Sequence, residues 1–147
     1  MLSLRYLPAL TGRVKTAQQF ILANLIAFEI GQFLFALLPA IGPWYGYHFA
    51  PNPNFAQCQA DLLALRQPGP YLHHPCGVVC FPSGHALGAI FSTYCLWGFK
   101  WLRGPVAIFA ALLILSTMTL RWHYFFDVLG GGVVAFISLI AARRLTR

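Results

Sequence analysis

The chain has 147 residues, 59% of them hydrophobic and only 9% charged, with three acidic side chains against ten lysines and arginines and a formal net charge of +7. A mean hydropathy of +0.66 excludes an ordinary soluble domain and places the chain with multi-pass membrane proteins. The positive balance is not a nucleic-acid footprint, because the basic residues lie at the ends of apolar runs and form no stripe interleaved with aromatics.

Residues 1–19 carry Arg5, Arg13 and Lys15 and read as a basic interfacial segment. The apolar run behind them is longer than a signal-peptide core and is followed by no small-residue cleavage site. Residues 20–147 read as one membrane-embedded domain. A spanning helix needs about 20 mostly apolar residues, and four segments qualify: Phe20–Ile41, Gly84–Trp101, Gly104–Leu120 and Tyr124–Ala142. The expected fold class is therefore all-α, a multi-pass transmembrane bundle of about four spanning helices. Turn chemistry separates the runs at Pro39, Gly42 and Pro43, at Arg103-Gly104-Pro105, and at Arg121 to His123. The long loop 43–82 holds seven of the ten prolines. It is expected to contain short interfacial helices, with Trp44, Tyr45, Tyr47 and Phe49 at headgroup level.

Four crossings place residues 1–19, the turn at 100–103 and the tail at 143–147 on one side of the membrane. Eight of the ten basic residues then share that side, which the positive-inside rule makes cytoplasmic. Both termini are expected there, with loop 43–82 on the periplasmic, lumenal or external side.

Two polar islands face that outer side: Phe81-Pro82-Ser83-Gly84-His85-Ala86 and Arg121-Trp122-His123-Tyr124-Phe125-Phe126-Asp127. Ionisable groups in or beside a bilayer cost roughly 2.5 to 3.5 kcal/mol each on insertion scales, so they mark function. Ser83 is a natural helix N-cap, Gly84 lets another group approach the backbone, and His85 falls in the first turn. His123 and Asp127, four apart, share a helix face, where the carboxylate can fix one imidazole nitrogen and leave the other as nucleophile or base. Helix amino termini suit phosphate, and Arg121 adds a forked donor. Brought together, these residues describe a phosphoryl-transfer site with no metal and no cofactor.

The Pro82-Ser83-Gly84-His85 and His123-x-x-x-Asp127 motifs resemble the second and third signatures of the type 2 phosphatidic acid phosphatase superfamily. Pro39-Ala40-Ile41-Gly42-Pro43-Trp44, Arg121-Trp122-His123-Tyr124 and Asp127-Val128-Leu129-Gly130-Gly131 resemble its inositol phosphorylceramide synthase-like subgroup. The resemblance implies a membrane lipid phosphatase or phosphotransferase in which His123 attacks phosphorus, Asp127 orients it and His85 protonates the departing alcohol. Ser83, Gly84 and Arg121 would bind the phosphate of a lipid substrate. Transfer to an alcohol acceptor and a truncated, inactive lipid-binding relative are the alternatives. The family's first signature, a lysine followed at fixed spacing by Arg-Pro, is absent. Arg121 also lies closer to His123 than the usual Ser-Arg pair does. The family core has six spanning helices and this chain supplies what resembles the last four, which leaves a short form, a fragment or a homo-oligomer open.

Other residues read more plainly. Glu29 and Gln32, on one face of the first span, suit interhelical hydrogen bonds. Small residues at Gly84, Gly88 and Ser92, and at Gly130 to Gly132 with Ala135, suit close helix packing. One disulfide is expected among Cys58, Cys76 and Cys80, while His73 and His74 with Cys76 and Cys80 match no strong zinc spacing.

Overall fold

The computed structural model describes residues 7–47, 56–64, 68 and 80–147, with the backbone alone at 7–12, 59 and 62. Among these residues every regular element is helical: α1 (Leu7–Leu37), α2 (Pro43–Gly46), α3 (Ala56–Ala64), α4 (Gly84–Leu96), α5 (Arg103–Thr119) and α6 (Phe125–Leu145).

Helix α1 is 31 residues long. Pro8 lies in its first turn, where a missing N–H costs nothing, and no proline follows until Pro39, before which the helix ends. The expected basic segment is therefore not separate from the first span. From residue 7 onward it forms the first turns of α1, because Ala17, Gln18 and Gln19 are good helix formers and polarity does not break a helix. Residues 1–6 lie outside the described residues.

Arg13–Leu37 and Phe125–Leu145 are each long and apolar enough to cross a membrane. The other two expected spans are shorter as helices: α5 has 17 residues and α4 has 13. Helix α4 stops at Leu96, short of the expected Trp101, because residues 97–102 turn around Gly98. Arg103 Nε donates to the Trp97 carbonyl across that turn (2.8 Å).

The loop after α1 holds the expected short helices, α2 and α3, but its aromatics divide. Tyr45 and Tyr47 are exposed, whereas Trp44 is buried, contrary to a headgroup role. Its ring packs with Cys80 against Ala40, Ile41 and Leu63, and its backbone N–H donates to the Arg121 carbonyl (3.3 Å). Phe49 lies outside the described residues.

Helix α4 is central, packing against α1, α5 and α6, while α1 also packs along α6. The core is built from small side chains on α1 (Ala23, Ala27) and α6 (Ala135, Ala142, with Val134), filled by Phe91 of α4. Small residues let helix backbones approach where lipid provides no hydrophobic drive. At one end of the bundle Tyr94 donates to Gln19 Oε1, Gln19 Nε2 donates to Thr146 Oγ1 (3.0 Å) and Arg143 Nε donates to the Tyr94 hydroxyl (3.3 Å). At the opposite end the amino termini of α4 and α6 meet: Ser83 N–H donates to the Asp127 carbonyl (2.9 Å).

Candidate active site

Two helix starts build this end. A cis peptide bond joins Phe81 to Pro82, and Ser83 follows as the N-cap of α4, its Oγ accepting from Ala86 N–H (3.3 Å). The Ser83 main chain rests on α6 at Gly131, where a Cβ would stand 2.7 Å from the Ser83 carbonyl oxygen. A Cβ on Gly130 would stand 2.5 Å from the Phe81 ring. Gly131 thus permits the close backbone approach expected of the small residues of α6 and Gly130 admits a side-chain ring, whereas a Cβ on Gly132 would meet nothing within 4 Å.

The second start is set by the turn between α5 and α6. The Thr117 carbonyl accepts from Trp122 N–H (3.0 Å) and His123 N–H (3.3 Å), and Arg121 takes φ 66°, in the left-handed region. Asp127 Oδ2 then accepts Tyr124 N–H at 2.7 Å, satisfying a donor that the first turn of α6 leaves open.

His85 and His123 are thereby brought together. His85 Nδ1 lies 3.2 Å from His123 Nε2, with the rings edge to face at 5.4 Å between centroids. His123 is buried and His85 exposed. His123 Nδ1 lies 2.9 Å from the Cys80 carbonyl oxygen. A carbonyl can only accept, so Nδ1 carries the proton of the neutral ring and Nε2 presents a lone pair toward His85.

Asp127 does not make the hydrogen bond to His123 that sequence spacing suggests. Its Oδ2 is 3.7 Å from His123 Nδ1, beyond hydrogen-bonding range, and is directed to the Tyr124 amide instead. The Cys80 carbonyl takes that place. No sequence signal marks it, because any residue at position 80 carries the same acceptor. The carboxylate is close enough to act on His123 through charge alone.

The remaining predicted residues separate. Gly84 is exposed and lines the same cleft as the two histidines. Ser83 is fully buried, its hydroxyl engaged in capping α4. Arg121 is exposed and is not among the residues lining the cleft.

That cleft, about 940 Å³, runs between α4 and α5. Gly84, Gly88 and Ser92 form one wall, Val106, Phe109 and Leu113 the other, and the histidines close its polar end. A Cβ on Gly84 or Gly88 would meet nothing within 4 Å, so these glycines border open space and do not serve the helix packing expected of them. Cys58 and Cys80 also line the cleft. Cys58 is disulfide-bonded, while Cys80 and Cys95 are not in disulfides. His73, His74 and Cys76 lie outside the described residues. Among those described, no three His, Cys, Asp or Glu side chains gather as a metal site.

The family model of the PAP2 superfamily matches residues 4–141. The chain belongs to the PAP2 superfamily. No curated protein and no solved structure matches the chain significantly. PAP2 proteins are generally phosphatases, which supports phosphoester hydrolysis as the chemistry of this chain.

Proposed function

We propose that this PAP2 protein is a metal-independent membrane phosphatase or phosphotransferase that acts on an amphiphilic phosphoester through a phosphohistidine on His123. The observation that carries the reading is the 3.2 Å approach of the two imidazoles at the polar end of an apolar cleft. His123 Nε2 attacks phosphorus, and the ester oxygen leaves with a proton from His85. His85 then takes a proton from water as the water oxygen attacks phosphorus, releasing phosphate and freeing Nε2. The phosphorylated ring is cationic; the Cys80 carbonyl and the Asp127 carboxylate beside Nδ1 favour that charge. Gly84 leaves room for the phosphate at the start of α4, where backbone N–H groups suit an anion. Ser83 contributes by holding that helix start in place, and Arg121 approaches the phosphate from the exposed turn before His123. The hydrocarbon portion of the substrate occupies the cleft.

In this reading α4 and α5, extended by their flanking turns, complete four crossings. The charge asymmetry of the ends supports an extracytoplasmic position for the histidines. The contact of Trp44 with Arg121 joins the two segments that resemble the inositol phosphorylceramide synthase-like subgroup. The resemblance of those segments to that subgroup suggests an alcohol acceptor as the second reading, using the same histidines.

The test is phosphate release from phosphatidic acid and a polyprenyl diphosphate by detergent-purified protein in chelator, with His123→Ala as control. Release that falls at least about 10³-fold in the variant, with acid-labile phosphate trapped on the wild type, is the expected result. Absence of release from well-folded protein, with and without ceramide as acceptor, would favour an inactive lipid-binding relative.

A further inference from the structure

Glu29 and Gln32 lie within the longest apolar helix, and both are exposed. Eight residues separate Glu29 from the end of α1 at Leu37, ~12 Å at 1.5 Å per residue, and sixteen separate it from Arg13, ~24 Å. A carboxylate at that depth does not reach either interface by extending its side chain. Hydrocarbon offers it no partner, and polar groups in spanning helices almost always meet protein or a water-filled cavity.

The surrounding surface has the form of a helix-docking face. Three residues apart, Glu29 and Gln32 share one side of α1, and exposed Leu25 and Ala36 continue it below and above. The neighbours within the chain, α4 and α6, use a different side through Ala23 and Ala27. The exposed stripe of α6, with Val133, Phe136 and Ile137, carries no polar group at comparable depth and needs only lipid.

We infer that α1 docks against α1 of a second copy of this chain through the Glu29 and Gln32 face. A two-fold axis along the membrane normal brings residues of equal depth together, and in such an interface residue i meets j while j meets i. Glu29 and Gln32 differ in height by about 4.5 Å, which their side chains span. The amide of each Gln32 can donate to the carboxyl of the opposing Glu29. One carboxyl and one amide within a single helical turn make a patch complementary to itself, which selects a second copy over an unrelated helix. The inference stands apart from the chemistry proposed for the histidines.

The test is disulfide crosslinking of Ala36→Cys protein in phosphatidylcholine bilayers, in a Cys95→Ser background, with Phe136→Cys as the control face. The expected result is about tenfold more dimer through position 36, lost when Glu29→Leu and Gln32→Leu are added and retained with Glu29→Gln. Equal crosslinking at both faces, or a yield the two leucines leave unchanged, would overturn it. So would a product in native membranes whose mass is not twice 16.3 kDa.

Discussion

Helix α4 has two flanks that differ sharply. Toward α6 it is closed: Ser83 lies on Gly131, its amide bonds the Asp127 carbonyl, and His123 is buried behind it. Toward α5 it opens into the cleft, where Gly84 and Gly88 face empty space. Glycine serves opposite purposes on the two flanks, admitting a neighbouring backbone on one and leaving a cavity unfilled on the other. On the chemistry proposed, rigid positioning of the reacting groups and accommodation of the substrate's hydrocarbon portion fall to two sides of one helix.

Substitutions can break this division. Short of removing His123 itself, the largest effect is expected from Asp127→Asn, which keeps a carbonyl to accept the Tyr124 amide but removes the charge beside His123. Turnover should fall about 10²-fold, and unchanged turnover would reduce Asp127 to a helix cap. On the open flank, Gly88→Leu fills the cleft; kcat/KM for a long-chain phosphoester should drop about tenfold relative to a short-chain homologue. An equal loss on both would show that the chain lies elsewhere. Gly131→Ala places a methyl against the Ser83 carbonyl and should cost about 1–3 kcal/mol of stability, read as a lowered thermal midpoint. Gly88→Ala should do the reverse, gaining up to about 1 kcal/mol from helix propensity because its methyl meets nothing. If the two alanines shift the midpoint alike, the flanks are not distinct in the way described.

Much of this arrangement can be read from residues, and the failures have physical causes. The runs Gly104–Leu120 and Tyr124–Ala142 lie close to α5 and α6, since Gly-Pro and Arg-Trp-His punctuation bounds them. The first run misses the start of α1 because apolarity measures preference for lipid, whereas the helix continues through polar residues that favour helix equally. The meeting of His85 and His123 follows from their places at two helix starts on one end of the bundle. The Cys80 carbonyl could not be anticipated, because backbone acceptors have no letter in a sequence. The direction of Gly88 was equally hidden, since a stripe of small residues looks the same whether a helix or a void lies beyond it.

Arg121 holds a left-handed backbone, φ 66°, between a bond from its amide to Met118 and one from Trp44 to its carbonyl. A non-glycine residue there costs of order 1–3 kcal/mol. A glycine would relax the turn and strip the guanidinium from the residue pair before His123. The position therefore sets backbone strain against activity: on the chemistry proposed, an Arg121→Gly protein with its turn relaxed would be the poorer catalyst.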